Sequence, residues 1–169
     1  AVMAANNEIG VLQPLEAIGQ LCRDNEVFFL TDATQALGKV PIDVEKMQID
    51  LLACSAHKIY GPKGVGALYV RRSLPRVPVS AIIDGGGHEA GLRSGTLNVP
   101  AIVGFGKAAE LSLRNMVKEE KRLAVLRDSL EDRLLSEIEG SHINGAKEHR
   151  LAGNLNIHLP RVNSEALMI

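Results

Sequence analysis

Two apolar runs end in polar residues that could do chemistry. Val27-Phe28-Phe29-Leu30 leads into Thr31-Asp32, and Leu51-Leu52-Ala53-Cys54 leads into Ser55-Ala56-His57-Lys58. Short apolar runs of this kind read as buried strands. In an open parallel sheet, ligands bind beyond the carboxyl ends of the strands. Asp32, Ser55, His57 and Lys58 are then candidates to face one crevice. A lysine and a carboxylate placed together there suit pyridoxal phosphate. Its aldehyde needs an amine to form a Schiff base, and its ring nitrogen needs an acidic partner to serve as an electron sink.

Each residue taken singly has a plainer use. Asp32 could cap a turn, His57 could be a satisfied structural imidazole, and Lys58 could be a solvated side chain. Their joint placement at the ends of two strands of one sheet favours function. Rival motifs fail on context. Gly61-Pro62-Lys63-Gly64 lacks the Gly-Lys-Ser/Thr ending of a phosphate loop. Gly104-Phe105-Gly106-Lys107-Ala108-Ala109 fits a dinucleotide pattern but lies inside a helical stretch, so close helix packing is the better reading.

The elements that must position these residues alternate along the first seventy positions. Ala1–Ala5 is a short apolar strand and 6–14 a loop. Leu15, Ile18, Leu21 and Cys22 recur at helical spacing behind Pro14, a residue tolerated in a first turn. A third strand is expected over 66–71, after the turn Gly61-Pro62-Lys63-Gly64. Continuous apolar strands separated by a helix predict an α/β fold with a mostly parallel sheet. Residues 80–95 form a glycine-rich loop. From 100 to 139 the pattern is helical, with a bend expected near 118–122. A strand over 154–159 and a helix from 163 to 169 follow. The change of character predicts a large α/β domain over 1–117 and part of a smaller α+β domain over 118–169.

Composition narrows the class. The 169 residues are 46% apolar and 23% charged, too apolar for disorder. Formal charge is −1, aromatic content is 3%, and no basic run occurs, which argues against nucleic acid. The uncharged run Ser94–Gly106 holds an Arg-free but glycine- and proline-broken stretch, too short to span a bilayer. Cys22 and Cys54 have no metal or disulfide spacing, as expected in a reducing compartment.

Five ordered blocks carry a resemblance. They are Asn6-Asn7-Glu8-Ile9-Gly10, Thr31-Asp32-Ala33-Thr34-Gln35, Ser55 through Gly64, Gly85-Gly86-Gly87-His88-Glu89, and Leu92-Arg93-Ser94-Gly95-Thr96. Together they closely resemble the cysteine desulfurases, fold-type I enzymes dependent on pyridoxal 5'-phosphate within the class V aminotransferase superfamily. The resemblance runs from Ala1 to Ile169. It implies a three-layer large domain around a mostly parallel sheet.

Site roles follow from the resemblance at matching positions. Lys58 resembles the Schiff-base lysine that also moves protons at the substrate α-carbon. Asp32 resembles the partner of the pyridinium nitrogen, and Gln35 the donor to the cofactor's phenolate oxygen. Ser55 and His57 resemble phosphate contacts, and Thr96 the residue reaching the phosphate of a neighbouring subunit. Asn7 matches an asparagine near the cofactor and the substrate carboxylate. Ala56 stands where the family usually has glycine, which implies a narrower space near the phosphate.

The family reaction takes L-cysteine to L-alanine and passes sulfur to an enzyme cysteine as a persulfide. The resemblance implies a homodimer, a scaffold or other sulfur-acceptor partner for iron–sulfur cluster assembly or thiolation, and a bacterial cytoplasmic or organellar matrix location. Selenocysteine lyase or another class V enzyme is the alternative. The chain reads as an internal fragment, starting within a strand and stopping within a helix. Neither Cys22 nor Cys54 matches the family's mobile cysteine loop, so the 169-residue polypeptide itself is expected to be inactive.

Overall fold

A computed structural model describes residues 1–167. Strand β1 (Val2–Met3), helix α1 (Leu15–Asp24), β2 (Leu30–Asp32), β3 (Leu51–Ser55) and β4 (Gly66–Val70) form the first half. Helix α2 (Val99–Glu137), β5 (His142–Ile143), β6 (Ile157–His158) and α3 (Ser164–Leu167) follow. The helix expected over 163–169 is thus present in its described part, while Met168 and Ile169 lie outside the described residues.

The four-stranded sheet has the order β1-β2-β3-β4. β1 and β2 pair in parallel, as do β2 and β3, with Leu30 opposite Leu51 and Asp32 opposite Ala53. β4 returns antiparallel to β3, because the link from Ser55 to Gly66 is too short for a parallel crossover. β2 begins later than the apolar run implied. Val27 and Phe28 are exposed, at 57% and 42%. Only Phe29, itself buried, continues the pairing: its carbonyl accepts from the backbone N–H groups of Asp50 and Leu51.

Phe29, Ile49, Leu52, Ala33, Leu15 and Leu151 belong to the buried core. α1 contributes Leu15, Ile18, Gly19 and Cys22, one face at helical spacing, while Leu21 is 63% exposed. A Cβ on Gly19 would collide with the Met47 carbonyl, so glycine is what lets α1 settle this close to the 43–48 turn. Beneath β2, Asp50 is buried and accepts from the Phe29 N–H at 2.7 Å and from Arg71 Nε at 2.5 Å.

α2 runs through 118–122 as a single helix, so the expected bend does not end it. No proline or glycine interrupts that stretch, and Arg122 pairs with Glu119 one turn earlier. Asn98 starts the helix: its side-chain oxygen accepts from the Ala101 N–H. No helix among the described residues is long and apolar enough to cross a membrane.

The strand expected over 154–159 reduces to Ile157–His158, paired with His142–Ile143. The segment before it ties back to the start of the chain. Leu12 N–H donates to the His149 carbonyl at 2.8 Å, and Leu151 N–H to the Gly10 carbonyl at 2.9 Å. Arg150 is buried beside Glu131 of α2, whose carboxylate accepts from its guanidinium.

Candidate active site

Parallel pairing of β2 with β3 brings the sheet ends carrying Asp32 and Ser55 to the same edge. Beyond β3 the chain enters a tight helical turn, Ala56–Ile59, which holds His57 and Lys58 exposed while Ala56 and Ile59 are buried beneath them. The turn ends at Tyr60, in the left-handed region at φ 64°. Gly61 N–H donates back to the Ala56 carbonyl at 3.0 Å and closes it.

α2 supports this turn from below. A Cβ on Gly61 would lie 2.9 Å from Ala56 Cβ and 3.2 Å from Ala108 Cβ of α2. A Cβ on Gly104 would lie 2.7 Å from Pro62 Cγ, whereas Gly106 faces open space. The packing reading of this glycine pair therefore holds for Gly104 alone. Ala56 also differs from its expected effect. Its methyl is fully buried against Gly61, so it fills the support of the turn rather than the space in front of it.

Asp32 is exposed at the end of β2, and its Oδ1 accepts from the Thr34 N–H at 2.8 Å. The turn-capping use and an outward-facing carboxylate thus coexist in one residue. Ser55 Oγ and His57 Nδ1 lie 2.7 Å apart. Gln35 is half-buried on the next turn, and its Oε1 accepts from Lys39 Nζ at 3.1 Å. Burial, and then the positive charge of Lys58, hold the Lys39 ammonium below the usual lysine range. Burial pushes the Cys54 thiol up, the carbonyl of Ala67 opposes this, and the charge of Asp32 adds to it.

Asn6 and Asn7 divide two tasks. Asn6 Oδ1 accepts from the N–H groups of Glu8 and Ile9 and so builds the turn. Asn7 is left exposed on that turn, after the strand next to β2. Thr96 stands exposed on the loop before α2. That loop is folded on Ser94, which is buried and whose Oγ accepts from the Gly87 N–H at 3.2 Å. Asp32, Gln35, Ser55, His57 and Lys58 thus lie toward one end of the sheet, while no side-chain hydrogen bond joins Asn7 or Thr96 to them among the described residues. Lys39 went unnoticed in the sequence. Its signal was there, a lysine four positions after Gln35 in a turn-forming segment.

Two cavities, of about 660 and 500 Å3, lie at the other end of the sheet, around Arg23, Arg71 and the starts of β2 and β3. Neither includes a site residue. The gathered donor set is of the kind a phosphorylated aldehyde needs: an exposed amine, a carboxylate one strand away, and a hydroxyl–imidazole pair for a dianion.

This fold and site define an α/β protein of the pyridoxal phosphate type. The aminotransferase class-V family model matches residues 1–169, and the chain belongs to that family, whose members depend on pyridoxal 5'-phosphate. The cysteine desulfurase IscS of Haemophilus influenzae is 55% identical over 169 residues, covering 100% of this chain and 41% of the relative. The counterpart from Anaeromyxobacter dehalogenans is 54% identical, with 100% and 42% covered. Among solved structures, a NifS-like protein superposes with a TM-score of 0.91 at 40% identity, covering 98% of this chain and 44% of that one. These neighbours have the fold-type I architecture, as expected from the sequence blocks. The chain spans about two fifths of the length of the curated relatives it matches.

Proposed function

We propose that the protein is a pyridoxal phosphate-dependent cysteine desulfurase, taking L-cysteine to L-alanine and passing the sulfur to a protein thiol. The observation that carries the reading is the position of Lys58. It stands exposed just beyond β3, one parallel strand from Asp32, in a chain 55% identical throughout to a cysteine desulfurase.

When bound, the cofactor supplies an electron sink for the carbanion left by removal of the substrate's α-proton. Lys58 would hold the cofactor through its amine and, once freed by the substrate, would take up the α-proton and return it to the substrate's carbon skeleton. Asp32 would keep the ring nitrogen protonated, its carboxylate accepting a hydrogen bond from the ring N–H. Gln35 donates to the ring's phenolate oxygen. Ser55 and His57 donate to the phosphate, and Asn7 orients the substrate carboxylate. Thr96, with no partner of its own in the described chain, serves the phosphate of a second subunit in a homodimer.

Sulfur leaves when a thiolate attacks it: the S–S bond forms as the C–S bond breaks, with the electron pair returning to carbon. Cys22 lies on α1 and Cys54 within β3, its thiol pushed up by burial, so neither is the acceptor. The sulfur then passes to a scaffold or other acceptor protein for iron–sulfur cluster assembly or thiolation. We place this activity in the bacterial cytoplasm or an organellar matrix. We also read residues 1–117 as part of the cofactor-binding domain and 118–169 as part of a smaller α+β domain joined to it through α2.

The test is the visible absorbance of the protein with added pyridoxal phosphate, beside Lys58→Ala. A yellow band that vanishes in the variant supports the reading. Identical spectra would overturn it.

A further inference from the structure

Lys39 is half-buried and has no part in the roles set out above. Its ammonium reaches Gln35 Oε1 at 3.1 Å, within one turn of chain. Donor chemistry fixes what this contact means. An ammonium has three N–H donors and no acceptor, so only the oxygen end of the amide can face it. Turning the Gln35 amide over would set its NH2 against those donors. Lys39 therefore selects one of the two amide orientations and leaves Nε2 as the free end.

The turn that carries both residues is keyed into the same support as Lys58. Gly38, at φ +69°, has no room for a side chain: a Cβ would lie 2.7 Å from Ser112 Cβ of α2 and 3.1 Å from Ile59 Cγ2. Ile59 is buried next to Lys58 in the helical turn. At Gly38 the 33–40 turn thus packs close to both α2 and the Lys58 turn. That Lys39 senses the charge of Lys58 agrees with this closeness.

We propose that Lys39 is a positioning residue for the cofactor: by donating to Gln35 Oε1 it holds the amide with Nε2 presented to the cofactor's phenolate oxygen. The inference rests on the cofactor-binding reading above. A solvated lysine would be a poor choice for this post, since burying part of an ammonium is unfavourable unless the group is paired. Here the paired atom is the amide oxygen, and the orientation it imposes is the return.

The test measures pyridoxal phosphate affinity and the wavelength of the visible band in the unsubstituted protein, Lys39→Met, Lys39→Arg, Gln35→Ala, and Lys39→Met combined with Gln35→Ala. Lys39→Met is expected to bind the cofactor about tenfold more weakly, the scale of one hydrogen bond, and to move the band as Gln35→Ala does. Lys39→Arg, which keeps the donor, is expected to restore both. In the Gln35→Ala background, Lys39→Met is expected to add nothing, because the route through the amide is already gone.

A Lys39→Met protein with unaltered affinity and band would overturn the proposal. So would a full further loss in the Gln35→Ala background, or a lowered melting temperature with an unmoved band. If Lys39→Met does not fold, Lys39→Leu and Lys39→Arg decide it by the same two readouts. A band absent from the unsubstituted protein would instead sink the cofactor reading itself, and the proposal with it.

Discussion

Ser55 Oγ lies 2.7 Å from His57 Nδ1, two residues apart across the junction of β3 and the Lys58 turn. Only one hydrogen can lie between them. If the imidazole supplies it, the hydroxyl hydrogen is freed for an anion; if the hydroxyl supplies it, the imidazole must use Nε2. Either way the two residues are coupled through one hydrogen bond, and under the proposed function that pair holds the cofactor's phosphate.

Ser55→Ala and His57→Ala are each expected to weaken pyridoxal phosphate about tenfold, the range of a charge-assisted hydrogen bond. The double variant should lose less than the sum, because the partners are in contact. Binding of pyridoxal, which has no phosphate, is the control. Equal losses for both ligands would remove Ser55 and His57 from the phosphate site.

At the opposite end of the sheet, Asp50 and Arg71 form a buried ion pair with Nε 2.5 Å from Oδ1. Asp50 also accepts from the Phe29 N–H, where β2 begins. Arg71→Met leaves that carboxylate buried without its partner. A loss of about 3–5 kcal/mol in urea unfolding is expected. A loss below about 1 kcal/mol would mean that water reaches Asp50 despite its burial.

Gly61→Ala tests whether α2 aims Lys58. The added methyl would meet Ala56 Cβ at 2.9 Å, the Ala56 carbonyl at 3.0 Å and Ala108 Cβ at 3.2 Å. Overpacking of this kind costs about 1–3 kcal/mol. The strain should be relieved by lifting the exposed turn, since the helix behind it is long and continuous. Cofactor affinity is therefore expected to fall by more than the stability does, as measured by titration beside a thermal melt. A pure stability loss with full affinity would separate the turn from the site.

The Cys54 thiol is pushed up chiefly by burial. The folded chain thus keeps this proton at a pH where the unfolded chain loses it. Its contribution to stability is complete below the unfolded thiol's pKa and is lost as pH rises through the raised value. The difference in urea stability between the protein and Cys54→Val should shrink across that alkaline window. Lys39, held low, works in the other sense: stability rises with pH between its lowered value and 10.5. The Cys54→Val difference isolates the thiol from it. Iodoacetamide should label Cys54 more slowly than free cysteine at pH 8. Fast labelling would mean that Cys54 is reactive enough to serve as a sulfur acceptor, against the reading above.

Much of the site was legible because it is local. Ser55, His57 and Lys58 lie within four residues, and Asp32 and Gln35 within another four, each group following an apolar run. Strand type and parallel pairing then follow from two continuous apolar runs with a helical segment before them. The start of β2 was misjudged because apolar composition does not report burial. Val27 and Phe28 are as apolar as Phe29, but only Phe29 finds Asp50 and Leu51 across the sheet.

What the sequence alone determined is the chemical inventory and the order in which it is strung: an amine, a carboxylate, an amide, a hydroxyl and an imidazole, each placed after a strand. Tertiary structure decided which of them share an edge, and that Ala56 points into the support of the Lys58 turn. Those facts depend on contacts between residues far apart in the chain, Gly38 with Ser112, Gly104 with Pro62, and Gly61 with Ala108. Such contacts are set by how closely two backbones approach, and periodicity along one segment holds no record of that distance.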